Sequence, residues 1–372
     1  MLNLFINNQF IMKTNQLILA AALVVLAGCN KVSVETIDKT NEIGFRAVAS
    51  MATKANDAII TGTTYGTDNT FQVWGWQSEA ADFSEFAADA ASNFMSNITI
   101  SYCGGPQSRA DAWRNADHYY YWPFTGKISF LAVHPSSVAP STTGWDATNK
   151  KPQATVADYT ITPGSNETVD LMFATNEGSR RSDALPMVFK HALSQIVVKV
   201  KTNDDYTNDV KFDINSVQFN KIDLSGDVAY ANNDFAWSDN AAQTQDWMYY
   251  DTILEDIDEN AVIYGAAKVM IPQAANEDDA TTTDVLEGTT LTISYTMTQT
   301  GSAAITGTIV VPAPWAKVKE GSTDYDPAEA ISGWEPGKKY NYTLNFKLNE
   351  ILFDPSVTEW VEVDLQTVNI LD

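Results

Sequence analysis

Cysteine is nearly absent from this chain, with only Cys29 and Cys103 in 372 residues. No disulfide framework can therefore support the fold. Histidine is as scarce: His118, His134 and His191 stand far apart, without the close spacing of a metal-binding motif. Positive charge is also short, 23 Lys and Arg against 47 Asp and Glu, for a net charge of −24. Such a chain repels phosphate backbones, which excludes nucleic acid as a partner. Nucleophile-elbow, phosphate-loop, zinc-helix and dinucleotide signatures are missing too, so no enzyme is expected. The acidic run Glu255 to Asn260 begins like a calcium loop with Asp256, Asp258 and Asn260. It then has Ala261 where such a loop needs Gly, and Ala267 where it needs a bidentate Glu. We expect no metal site. A glycosidase would need two facing carboxylates, and nothing in the sequence singles out such a pair.

The apolar run Leu17 to Ala27 falls well short of the roughly 20 residues that span a bilayer. It follows Met12-Lys13 and leads into Leu26-Ala27-Gly28-Cys29, the pattern of a lipoprotein signal in which small residues admit a signal peptidase and the thiol receives a diacylglyceryl group. Residues 1–28 are read as the signal peptide, Met1 to Ile11 lying before the better start at Met12. The mature chain is expected to begin at lipidated Cys29, with 29–41 as a polar tether and no other cofactor. Removing 1–28 takes away Lys13 and no acid, so −24 becomes −25.

Beyond the tether, period-2 alternation dominates. It runs through Glu42 to Ala49, Thr70 to Gln77, Lys127 to Val133, Gln195 to Lys201, Phe212 to Phe219, Ala261 to Ile271, Thr290 to Thr298, Ile305 to Val311 and Lys339 to Leu348, with Leu171 to Ala174 as a short buried strand. In the first half, Glu79 to Met95 alone has helical spacing, with Phe83, Phe86, Ala87, Ala90 and Phe94 on one face. Pro135 to Gly164 reads as a surface excursion. No amphipathic helix is long enough for a crossover, so the pattern predicts antiparallel sheets folded into sandwiches. The charged stretch Asn176 to Asp183 marks a boundary between an N-terminal domain, 42–178, and a C-terminal domain, 184–372. Most Trp and Tyr sit inside strand patterns, which favours core over sugar platforms.

Several stretches together resemble the fimbrillins, the FimA-like and Mfa-like subunits of type V pili. They are the lipobox at Cys29, Glu42-Ile43-Gly44-Phe45, Thr53-Lys54-Ala55, Tyr120-Tyr121-Trp122-Pro123 with Ile128-Ser129-Phe130, Phe189 to Ile196, Gly333 to Tyr340, and Pro355 to Trp360. The resemblance implies an all-β chain of two transthyretin-like antiparallel β-sandwich domains, here with a short helix in the first. It implies export as an outer-membrane lipoprotein exposed at the surface, and proteolytic loss of the first strand. It also implies assembly into a fimbrium by addition of a strand from another subunit. Processing in the family follows a basic residue, for which Arg46, within the first strand, and Lys54, in a loop, are the candidates. At the other end, Glu359 to Asp372 alternates Val361, Val363 and Leu365 with polar residues, then shifts phase to Val368 and Ile370. Such a tail either completes its own sheet or pairs with another chain's edge. The partners expected are other fimbrial subunits, the outer membrane through the lipid, and a host or glycan receptor. The competing readings are an unprocessed tip or anchor lipoprotein, and a glycan-binding surface lipoprotein.

Overall fold

The computed structural model describes residues 41–49, 65–80, 82–104, 113–162, 169–181, 183–202, 210–239, 244–274, 289–312, 333–346 and, by backbone only, 351–359. From Ile43 onward they belong to one compact unit. Cys29, Lys54, Val361, Val363, Leu365, Val368 and Ile370 lie outside the described residues.

The first half is built from β1 (Phe45–Ala49), β2 (Phe71–Ser78), β3 (Met95–Tyr102), β4 (Trp113–Arg114), β5 (Lys127–His134), β6 (Thr142–Asp146), β7 (Lys151–Thr160), β8 (Met172–Gly178) and β9 (Leu185–His191). Seven of these close into a barrel in the order β1-β4-β3-β2-β5-β8-β9. Alternation explains the lumen: Phe45, Phe71, Val73, Ile100, Ile128, Phe130, Ala132, Met187 and Phe189 point into one buried cluster. The alternate residues of β2 and β5, among them Trp74, Trp76, Leu131 and Val133, are buried as well and belong to a second cluster, so both faces of this wall are covered. Gly126 opens β5 at φ +83°, where an added Cβ would stand 2.1 Å from the Ser78 carbonyl oxygen.

The second half contains β10 (Ser194–Thr202), β11 (Val210–Asp223), β12 (Ser225–Ala231), β13 (Asp234–Asp239), β14 (Thr244–Tyr250), β15 (Val262–Ile263), β16 (Lys268–Met270), β17 (Gln273–Ala274), β18 (Thr290–Gln299), β19 (Ile305–Pro312), β20 (Gly333–Trp334), β21 (Lys338–Phe346) and β22 (Ile351–Glu359). One sheet runs β15-β10-β21-β22, with β16 also on β10, and another runs β14-β11-β18-β19. They face each other through aromatic rings: Phe212 lies 5.5 Å from Phe346, and Phe219 lies 5.9 Å from Tyr342. A further sheet, β13-β12-β7-β6, covers the outer face of the barrel, with Tyr230 stacked on Phe173 at 5.0 Å and Trp145 6.0 Å from Trp76.

The all-β architecture stands, but the strand expected over Ala261 to Ile271 is two short strands, β15 and β16, with Gly265 at φ +74° between them, and four further details depart from expectation. First, Glu79 to Met95 holds no helix among its described residues. Phe83 and Asp89 take φ of 56° and 59°, outside the helical region. The backbone there bonds outward, Asp89 N–H to Trp145 O and Phe94 N–H to Gly75 O, while Phe83 and Phe86 pack 5.2 and 5.1 Å from Trp145. The apolar spacing serves this folded loop. Second, Pro135 to Gly164 contains β6, which buries Trp145, and β7, whose buried face is made of Pro152, Ala154 and Val156; small and imino residues hid the alternation of β7. Third, two pairings are parallel, β1 with β9 and β10 with β21. Fourth, residues 179–183 connect β8 and β9, which are neighbours in the barrel, and β7 of the first half pairs with β12 of the second.

Candidate functional site

β1 is laddered along its length on one side only among the described residues. Its parallel ladder with β9 runs from Phe45↔Leu185 to Ala49↔Phe189, while on its other side, among the described residues, it meets β4 at Phe45↔Trp113. β4 is itself 2 residues long among the described residues. Two flanking bonds fix its start, Ile43 N–H to Tyr120 O at 2.7 Å and Leu185 N–H to Gly44 O at 2.8 Å. Its inward face is apolar. Ile43, Phe45, Ala47 and Ala49 are buried, and the Phe45 ring stands edge-on to Phe130 at 5.1 Å and to Phe71 at 6.2 Å. Arg46 lies between them in sequence with its side chain exposed, as alternation requires.

Aromatic rings close the lumen on two sides of this strand. Trp122 stands 5.9 Å from Phe130 and presses on Gly178, where an added Cβ would come within 2.8 Å of its ring. Tyr65 stacks on Phe189 at 5.0 Å and meets Trp113 at 4.9 Å, His134 at 5.2 Å and Phe71 at 5.8 Å. Its hydroxyl is 2.5 Å from His134 Nδ1, and the Thr70 carbonyl accepts nearby, 3.0 Å from that nitrogen and 3.3 Å from the hydroxyl.

Sheet register brings two histidines of distant sequence together, because Met172 is paired with His134 on one side and His191 on the other. His191 Nδ1 lies 2.7 Å from Asp170 Oδ2, with both side chains buried. Burial pushes His134 down to about 4, against an opposing pull from Asp170, so its ring is neutral at pH 7. Burial, reinforced by Asp170, holds the Tyr65 hydroxyl well above the usual phenol range. This network ties β5, β8 and β9 at one end of the barrel; its groups are too enclosed to meet a substrate. Sequence reasoning missed it, although each histidine closes an apolar run and Asp170 directly precedes another, a signal that registers only once the strands are aligned.

Among the described residues no cluster of His, Cys, Asp and Glu suits a metal ion. Cys103 is a free thiol, 3.8 Å from Ser101 Oγ and from the Arg114 carbonyl. Trp74, Trp76, Trp113, Trp122, Trp145, Trp247 and Trp334 are buried. The largely exposed aromatics Tyr119 and Phe124 each have a face turned to a guanidinium, Arg114 at 5.9 Å and Arg180 at 5.0 Å. At the other end of the chain, Glu359 closes β22 opposite Lys338, so the first residue of the expected donor segment belongs to the edge strand of a sheet.

A family model described as fimbrillin-like matches residues 46–360. The chain belongs to the fimbrillin-like family. A fimbrial protein from Bacteroides vulgatus superposes with a TM-score of 0.58 at 18% identity, covering 86% of this chain and 100% of that one. At that identity the likeness speaks for the fold. A candidate cell adhesion protein from Bacteroides ovatus follows at 0.49 and 15%, covering 87% and 99%. The tip fimbrial protein Mfa3 from Porphyromonas gingivalis, truncated at its C-terminus, gives 0.33 and 11%, covering 78% and 100%. No curated protein sequence matches. Membership in this family points to a structural, non-enzymatic protein of a cell-surface appendage that associates with other fimbrial subunits.

Proposed function

We propose that this fimbrillin-like chain is a subunit of a type V-like fimbria, exported as an outer-membrane lipoprotein through Cys29 and serving adhesion. In this reading a protease removes β1, and a donor strand from another subunit fills the groove. The tail from Glu359 to Asp372, carrying Val361, Val363, Leu365, Val368 and Ile370, enters a neighbour in turn. The observation that carries the reading is the attachment of β1 among the described residues: one parallel ladder, one pair with a 2-residue strand, and inward apolar side chains. A strand held this way can be exchanged for one of matching pattern, since backbone bonds supply affinity and pockets supply specificity. Between the cleavage candidates, Lys54 fits better. Arg46 sits inside the ladder opposite Pro186, and cutting after it would leave Ala47 to Ala49 in the groove, whereas cutting after Lys54 frees the whole of β1.

The test is incorporation. Surface material extracted without boiling should show the chain in ladders of higher mass, and Val363→Asp should remove it from them while the unprocessed monomer still folds. Normal incorporation of that variant refutes a donor role for the tail.

A further inference from the structure

Resting on the strand-exchange reading, we infer that Tyr65 gauges the size of the side chains that an incoming strand can place in the β1 groove. It admits only small residues, Gly, Ala or Ser, at the two positions now held by Ala47 and Ala49. The inward residues of β1 fall from large to small, Ile43 and Phe45 and then Ala47 and Ala49, and all four are buried. Something else must fill the lumen beneath the two alanines, because barrel interiors are close-packed. Tyr65 has the required place. Its ring touches Trp113 of β4 and Phe189 of β9, the two strands that flank β1, so it lies across the inward side of the strand between the level of Phe45, the partner of Trp113, and that of Ala49. Phe189 is also the register partner of Ala49. The contact with His134 at 2.5 Å pins the hydroxyl end of the ring, and Phe71 closes on its other side. Tyr65 follows both Arg46 and Lys54 in sequence, so either cut leaves it in the mature body.

The gauge defines the partner. Along the tail of this chain, one alternating set reads Val361, Val363, Leu365, Thr367, Asn369 and the other Glu362, Asp364, Gln366, Val368, Ile370. Neither has two successive small residues. A second copy of this chain is therefore a poor donor for this groove, and the donor is a different subunit whose strand carries a bulky residue followed, at alternate positions, by two small ones.

The experiment has two arms. In the full-length chain, Ala49→Leu should lower the melting temperature by several degrees, Tyr65→Ala should lower it through the cavity it leaves, and the double variant should recover much of the Ala49→Leu loss. Ala49→Val serves if the Leu variant fails to fold, and Tyr65→Phe, which keeps the ring, should behave as wild type toward both. Strictly additive losses overturn the inference. In the second arm, chain cleaved after Lys54 and freed of β1 is titrated with a synthetic peptide of residues 43–49 and with its Ala49→Leu version. At least a tenfold preference for the native peptide should appear with Tyr65 and vanish with Tyr65→Ala. Equal binding of both peptides to the wild-type groove overturns the gauge while leaving strand exchange standing. Binding of neither peptide to a barrel that remains folded refutes strand exchange, and the gauge with it.

Discussion

Replacing Phe45 with Ala removes the principal apolar anchor of β1. The ring is fully buried and stands between Phe71 and Phe130, while its ladder neighbours Trp113 and Leu185 are themselves buried and poorly placed to collapse into the space. Truncations of this kind cost about 3 to 5 kcal/mol, the transfer loss adding to the cavity left behind. Arg46→Ala, one position along and exposed, should stay within about 0.5 kcal/mol of wild type. Denaturant titration followed by tryptophan fluorescence measures both. Trp113 and Trp122 lie in the same buried cluster as Phe45, so their emission reports the barrel. After cleavage, the same loss should weaken retention of the β1 fragment by about 100-fold or more, taking 1.4 kcal/mol per factor of ten. A change below about 1 kcal/mol for Phe45→Ala would refute the view that β1 is held by its inward side chains.

Acid should loosen the barrel before it affects ordinary carboxylates. His134 is neutral in the fold with its value lowered to about 4, so the unfolded chain binds the extra proton between about 6.5 and 4, and stability falls as pH drops through that window, by roughly 3 kcal/mol in total. Melting curves from pH 7 to 4 should show this slope, and His134→Gln should flatten it. Gly178→Ala should cost about 1 to 3 kcal/mol by overpacking, because the new Cβ falls 2.8 Å from the Trp122 ring and 3.1 Å from Leu185 Cδ1. Nicking at Arg180 or Arg181 should leave two fragments that co-elute in native buffer, since β9 beyond the nick pairs with β1 and β8 before it; fragments that separate and stay folded would restore a domain boundary there.

Side-chain size decided part of what was legible. Where large apolar residues alternate, as in β2, β5, β10, β18 and β21, the strands were readable within a residue or two, while β11 runs four residues past its expected end. β7 was not, because Pro152, Ala154 and Val156 give a buried face too light to stand out from Gln and Thr. The aromatic spacing of Phe83, Phe86 and Ala90 satisfies a helix and a loop folded on Trp145 equally well, and only the long-range bonds to Trp145 and Gly75 decide between them. Tyr65 carried no signal at all: a lone ring between polar residues has no period, and its role depends on Trp113, Phe189 and His134, which chain topology alone brings together. Parallel pairing of β1 with β9 was hidden for the same reason, since nothing local distinguishes a parallel from an antiparallel edge.

The central claim is that β1 leaves the subunit on assembly, and intact mass with N-terminal sequencing of the chain recovered from surface ladders tests it most directly. The account predicts a start at Ala55, with the lipidated peptide from Cys29 to Lys54 absent. A chain that carries acylated Cys29 and an uncut β1 within the ladders would contradict it.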